Sequence, residues 1–485
     1  MSLREKAYSG FGWSGLSGAT ANALELLKYI FLARILDPSD FGLLAMAMVL
    51  ISIMKIFSDG GTSNAVIHFD GQSNKALSTL FWINILAGWA LFFAAIAIAP
   101  AAAAFYKQPE ISAILMLAAF ILPLYAFGAL FEVLLRKNLL FKSIAFAEIS
   151  GSLTGLIVAI VLGISGFGVY ALIWANIITA GIMSMLFAMA GLKFCKPSFY
   201  FKPNLVRSHL KFGLFQMGER GLNVYSTRID QLIIGRFFGP EILGAYHIAW
   251  QIVLFPVIRL SPLLNRVAFP LFAGKKDDHA FIRNGYLKLI QAISSLITPF
   301  LLLVAVTAPW LVPFLFGDGW ELAIHMIPLM ALIAFFRMLG NPCGNIILAK
   351  GRARLAFYWT LFVALANTLL FLIAAHFSIF ILLWSFIAAN VLYFLLGQHL
   401  MVNRIIELPW IRFARSILPF FFALSIPSAA VIWIRSLLCH DFSDIAMLLS
   451  LTSVFLILYI PLVWYFFSDL IRDFFSSFAG RKPTL

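Results

Sequence analysis

Charge is what this sequence has least of. Of its 485 residues only 12% are Asp, Glu, Lys or Arg, about half the share of a typical soluble domain. Cysteine is nearly absent as well: Cys195, Cys343 and Cys439 are odd in number, scattered and without CxxC spacing. That excludes a disulfide framework and a thiolate metal site, and no metal or cofactor is expected. There is no Walker-type phosphate loop. Nor is there a long polar stretch, so the net charge of +14 has no soluble basic face on which nucleic acid could bind. A secretory leader is not expected either, because residues 9–18 (SGFGWSGLSG) are too polar and Gly-rich for its apolar region.

What is there is apolar. Hydrophobic residues make up 62% of the chain, with 50 Phe. A soluble fold of that composition would expose large apolar patches and aggregate; lipid tolerates them. A spanning helix needs about 20 mostly apolar residues. The sequence predicts an all-α integral membrane protein of about fourteen such helices, near 11–33, 41–66, 78–100, 111–135, 143–164, 169–190, 212–235, 241–262, 287–308, 321–342, 355–376, 378–400, 414–435 and 445–467. Pro123, Pro256, Pro299, Pro328, Pro419 and Pro461 fall inside these spans, where kinks are expected.

The cations fix an orientation. With both termini in the cytoplasm, twenty-five Lys and Arg fall on inside segments, and four (Arg34, Lys107, Arg236 and Arg435) fall outside. So strong a bias is the positive-inside signature.

One internal repeat stands out. Arg34-Ile-Leu-Asp-Pro38-Ser-Asp-Phe-Gly42 follows the first predicted helix, and Arg236-Phe-Phe-Gly-Pro240-Glu-Ile-Leu-Gly244 follows the seventh. Arg, Pro and Gly align without gaps at an offset of 202 residues (34 to 236, 38 to 240, 42 to 244). Six helices separate the copies, so both run the same way through the membrane. Two pseudo-symmetric six-helix lobes follow, a transporter arrangement: 1–190, a basic linker 191–211, a second lobe 212–400, and residues 401–485 with two further helices and a tail.

Ionisable residues inside spans cost about 2.5–3.5 kcal/mol each at the bilayer centre, so they should face protein or a wet cavity. The cations are Lys28, Lys55, Arg220, Arg228, Arg259 and Arg337; the acids are Glu25, Asp59, Glu132, Glu148, Glu219 and Asp230. Asn22, Glu25 and Lys28 share a face of the first helix, and Glu219, Asn223, Thr227 and Asp230 a face of the seventh. These stripes suggest a hydrophilic cavity between the lobes. Self-neutralising pairs are the structural alternative: Glu25 with Lys28, and a network of Glu219, Arg220, Arg228 and Asp230. Glu132 beside Arg136 reads as interfacial. Lys55, Arg259 and Arg337 have no opposite charge within four residues, Asp59 beside Lys55 excepted, which makes them candidates for an anionic group such as a phosphate. Glu25, Asp59, Glu219 and Asp230 are candidates for ion coupling or charge pairing.

The chain resembles the bacterial polysaccharide flippases of the multidrug/oligosaccharidyl-lipid/polysaccharide exporter superfamily. The stretches that carry this are Leu32–Gly42, Arg228–Tyr246, Asn265-Arg-Val-Ala-Phe-Pro270, Leu315-Phe-Gly-Asp-Gly-Trp320 and Leu348-Ala-Lys-Gly-Arg352. The resemblance implies a V-shaped pair of lobes that turns an undecaprenyl-diphosphate-linked oligosaccharide across the inner membrane. It also implies drive from an H+ or Na+ gradient or the membrane potential, and a polysaccharide polymerase and export machinery as partners. Related lipid II flippases carry cavity-facing basic residues on their first two helices, for which Lys28 and Lys55 are the counterparts here, with Arg259 as a partner. Lys replaces the Arg of those proteins and cannot grip phosphate bidentately. The rivals are a multidrug/cation antiporter of the same superfamily and a polytopic glycosyltransferase or polysaccharide polymerase. Asp37 and Asp40 superficially suit a transferase, but the outside loops are too short for a domain that binds an acceptor.

Overall fold

The structure is a computed structural model that describes residues 3–58, 66–67, 73–274, 278–438 and 444–478. The described residues fold as helices joined by short connections, with no strand among them. In chain order the helices are α1 (Leu3–Leu32), α2 (Pro38–Ser58), α3 (Asn74–Tyr106), α4 (Glu110–Ala118), α5 (Ile121–Lys137), α6 (Phe141–Ile164), α7 (Val169–Gly191), α8 (Arg207–Gly274), α9 (His279–Phe316), α10 (Glu321–Ala349), α11 (Ala353–Ala374), α12 (Ile379–Gly397), α13 (Arg404–Ile406), α14 (Trp410–Leu438) and α15 (Asp444–Phe478). A 3-10 turn, Pro203–Val206, precedes α8, and a π-helix, Gln398–Asn403, extends α12.

Eleven helical stretches among the described residues are long and apolar enough to cross a membrane, and the protein is a multi-pass membrane protein. They coincide with eleven of the fourteen expected spans. The other three, 11–33, 212–235 and 241–262, are helical too; they lie in α1 and α8, which carry Glu25, Lys28, Arg228 and Asp230.

One expected helix differs in detail, because of proline. The 111–135 span is interrupted at Ala119–Phe120 and continues as α5. Pro123 lacks an N–H, and its ring crowds the carbonyl four residues back, at Ala119. The expected 212–235 and 241–262 helices are both present within α8, as two helices that meet at a kink at Gly239, whose φ of 85° and ψ of −179° are non-helical. That backbone region is open essentially to glycine alone, and Pro240 directly after it takes the first position of the resumed helix without a missing donor.

The chain divides into two compact units, Met1–His247 and Ile248–Leu485. In the first, lipid offers no hydrophobic force to hold helix on helix, so close backbone approach does that work. The buried face of α6 carries a stripe of small residues at four-residue spacing: Ala147, Gly151, Gly155, Ala159 and Gly163. A Cβ on Gly155 would sit 2.0 Å from Thr179 Oγ1 of α7, and one on Gly163 would meet Leu32 of α1 at 2.5 Å. At one end, Leu77, Leu80, Phe81, Phe131, Leu134 and Ile144 form a packed apolar core with Cys195 and Val206. Burial there pushes the Cys195 thiol up to about 11.

The repeat reads out as a reciprocal contact inside this unit. A Cβ on Gly42 would lie 1.8 Å from the carbonyl oxygen of Pro240, and one on Gly244 would lie 1.8 Å from that of Pro38. Each glycine is the gap into which the other copy's proline turn fits. Such exchange of roles is what a local two-fold axis requires, so the sequence repeat is also a spatial one.

In the second unit, α9, α10 and α12 pack around Ile282, Tyr286, Ile290, Leu339, Ile346 and Met401, and α14 and α15 around Leu424, Val431, Leu451 and Phe455. Asp278 caps α9 through the Phe281 N–H at 2.9 Å, and Ser378 caps α12 through the Ile381 N–H at 3.2 Å.

Candidate functional site: a buried charge cluster

The polar faces of α1 and α8 come together within the first unit. Lys28, only 5% exposed, donates to the Asn176 Oδ1 of α7 at 3.0 Å. The Glu25 carboxylate, one turn earlier, lies 4.0 Å from its ammonium. That is an ion pair by distance but too long for a hydrogen bond. Tyr29 donates to Glu25 Oε1 at 3.5 Å. Its ring meets the His247 imidazole edge-on at 5.8 Å and packs 6.0 Å from Phe41. The Lys28 ammonium lies 5.2 Å from the centre of the Tyr29 ring.

Asp230 lies two residues beyond Arg228 and is bound differently. One carboxylate oxygen accepts the Gln231 backbone N–H at 2.8 Å, and the other accepts the Tyr246 hydroxyl at 2.6 Å. Tyr246 follows the Gly239 break and Asp230 precedes it, so this bond clasps the two segments of α8. Arg228 donates to Gln231 Oε1 at 3.3 Å, which ties the cation to the same turn.

The remaining sequence candidates lie elsewhere. Lys55, near the end of α2 and exposed, stands 3.8 Å from the centre of the Tyr125 ring of α5. Arg337 of α10 belongs to the second unit. Its guanidinium lies 5.4 Å from the Trp250 ring and 4.9 Å from Phe386, within cation–π range of both. Arg220 is half-buried in α8. Glu132 pairs with Arg136 one turn on, as its spacing suggests. Asp59 and the side chains of Glu219 and Arg259 lie outside the described residues. No group of three or more His, Cys, Asp or Glu able to hold a metal occurs among the described residues.

Sequence reading missed Tyr29, Asn176, Gln231, Tyr246 and His247. Asn176 interrupts an otherwise apolar α7, a signal available from the sequence alone. Tyr246 and His247 directly follow the second repeat copy, whose Gly244 anchors them. Chemically, the cluster offers an ammonium and a guanidinium with a carboxylate 4.0 Å from the ammonium. Such a cluster can exchange an internal ion pair for an external anion.

Comparison with known proteins places the chain in a family. The chain is 29% identical over 401 residues to the teichuronic acid biosynthesis protein TuaB of Bacillus subtilis (strain 168), covering 82% of this chain and 83% of that protein. It is 28% identical over 362 residues to the lipopolysaccharide biosynthesis protein WzxC of Escherichia coli (strain K12), covering 75% and 74%. The fold matches the lipid II flippase MurJ in its inward closed conformation with a TM-score of 0.77 at 13% identity, over 95% of this chain and all of that one. Residues 31–325 match the family model described as polysaccharide biosynthesis protein, and the chain belongs to that family.

Proposed function

We propose that this protein flips an undecaprenyl-diphosphate-linked oligosaccharide from the cytoplasmic to the periplasmic leaflet of the bacterial inner membrane, for cell-surface polysaccharide biosynthesis. It would act as a transporter, with no covalent bond made or broken. The observation that carries this reading is Lys28, a buried ammonium held by one amide oxygen and a carboxylate at 4.0 Å. Family membership and a fold shared with a lipid flippase support it.

The physical problem is the diphosphate, because a bare charge cannot be taken into hydrocarbon. An ammonium has three donors, of which Asn176 takes one. Phosphate oxygens can displace Glu25, whose pairing is long and therefore weak, and Arg228 adds a second positive charge to the same surroundings. When the substrate leaves, Glu25 again neutralises Lys28 and the site resets. Binding of this kind is reversible, as turnover demands. Lys55, Arg220, Arg259 and Arg337 are proposed as further contacts for the head group along the path. An H+ or Na+ gradient or the membrane potential is the proposed drive, with Glu25, Asp59, Glu219 and Asp230 as the acids available to respond. The organisation proposed is lobes 1–190 and 212–400, the linker 191–211, a C-terminal part 401–485, and both termini in the cytoplasm. The polymerase and export machinery would then take the glycan onward.

Depletion tests this. Lipid-linked oligosaccharide should accumulate on the cytoplasmic leaflet of depleted cells; its absence there would refute the reading. The second reading is cation or drug exchange, and it has Glu25 and Asp230 in its favour, because acids attract cations. It predicts drug sensitivity on depletion with normal surface glycan, where flipping predicts the reverse.

A further inference from the structure

The linker between α7 and α8 is an ordered strap. Residues 191–211 carry Lys193, Lys196, Lys202, Arg207 and Lys211 and no acid, and all five cations are exposed. The strap is fastened along α3 by hydrogen bonds from both sides. Asn74 donates to the Lys196 carbonyl at 3.0 Å, and Trp82 Nε1 to the Ser198 carbonyl at 2.9 Å. The Ser198 N–H donates to Ser78 Oγ at 3.0 Å, and the Lys202 N–H to Thr79 Oγ1 at 3.3 Å. Ser78 and Thr79 are wholly buried beneath it, and Cys195 and Val206 plug its two ends into the apolar core.

This fastening uses one side of an extended chain and turns the other side out. Phe199 is 97% exposed and Phe201 53%, although Phe199 stacks on Trp82 at 5.3 Å. Trp82 stands eight residues into α3 from Asn74, about 12 Å along its axis, and indole rings are enriched at membrane interfaces. A soluble loop has no reason to hold two phenylalanines in water by a ladder of hydrogen bonds.

We propose that this strap is a docking surface for anionic phospholipid, with Phe199 and Phe201 in the acyl boundary and the five cations against head-group phosphates. Charge complementarity decides the occupant: an acid-free basic run beside exposed aromatics fits a negatively charged leaflet. The surface is independent of the transport reading, since it needs only the strap and a membrane.

The test uses full-length protein in nanodiscs of equal phosphatidylglycerol and phosphatidylcholine, with the lipids retained after transfer to mild detergent counted by native mass spectrometry. Retention should favour phosphatidylglycerol by about tenfold or more, since each cation contributes roughly fivefold. Lys196→Gln alone should lower the ratio about fivefold, and Lys196→Gln/Lys202→Gln/Arg207→Gln should lower it by much more. Arg352→Gln/Arg354→Gln, which removes charge elsewhere, should leave it unchanged. Phe199→Ser should lower total retained lipid with every charge intact. Equal retention of both lipids by the wild type, or an unchanged ratio in Lys196→Gln, overturns the proposal. So does an equal loss in the Arg352/Arg354 control. Capture of a polyglutamate peptide that phosphatidylglycerol cannot displace would assign the surface to an acidic protein, and would overturn it too.

Discussion

The two copies of the repeat are alike in backbone and opposite in charge. Each presents a proline turn so close to the other's glycine that an added Cβ would lie 1.8 Å from the proline carbonyl oxygen. At the same offset, however, Lys28 of α1 corresponds to Asp230 of α8. Lys28 is held by an amide from another helix and a carboxylate at 4.0 Å. Asp230 is held within α8 by a backbone N–H and the Tyr246 hydroxyl, at 2.8 and 2.6 Å. The acid is thus saturated by its own helix and fixes the shape of the break at Gly239, while the cation is loosely paired and open to exchange. A symmetric frame carries an asymmetric pair of charges, a loosely paired cation before the first copy and a braced acid before the second.

That comparison can be broken at its frame. Gly42→Ala and Gly244→Ala each drive a methyl into a backbone carbonyl, which no rotamer change relieves. Each should destabilise by more than about 3 kcal/mol, the upper range for overpacking, and by similar amounts if the contact is reciprocal. Thermal unfolding in detergent measures it, and a large inequality would break the symmetry. Next in size is the brace. Tyr246→Phe removes a buried hydrogen bond to a charged group and should cost about 1.5–3 kcal/mol, read as a lower unfolding midpoint.

A smaller effect is expected at Arg236, whose guanidinium lies 5.8 Å from the Phe105 ring and 5.9 Å from that of Phe237. Arg236→Gln should cost about 0.5–1 kcal/mol in the same assay. Smallest, and opposite in sign, is Gly221→Ala, where nothing lies within 4 Å of the added methyl. Removing a helical glycine there should stabilise α8 by about 0.5–1 kcal/mol, so the contrast with Gly42 and Gly244 isolates packing from helix propensity.

The fold was largely legible because lipid imposes it. Long apolar runs between charged turns can hardly be anything but spanning helices, and the Arg-Pro-Gly repeat marked where two of them would meet. The sequence could not show that Gly239 alone would break α8 while Ala33–Asp37 fully separates α1 from α2. Half the site was legible, since Glu25, Lys28, Arg228 and Asp230 stand out as charges in apolar helices. Their partners did not, because Asn176 lies 148 residues from Lys28 and meets it only through the packing of α7. Arg337 looked bare in the sequence for the same reason: its neighbours are rings, which carry no formal charge, on helices distant in the chain.

The central claim is that Lys28 offers an exchangeable positive charge to a diphosphate. The direct test is leaflet-resolved flipping of a lipid-linked oligosaccharide by protein reconstituted in vesicles, comparing wild type, Lys28→Arg and Lys28→Ala at equal protein levels. Losing a charge-assisted hydrogen bond of about 1.5–3 kcal/mol predicts a 10- to 100-fold slower rate for Lys28→Ala, with Lys28→Arg keeping most of the activity. Wild-type flipping by a folded Lys28→Ala protein would contradict the account.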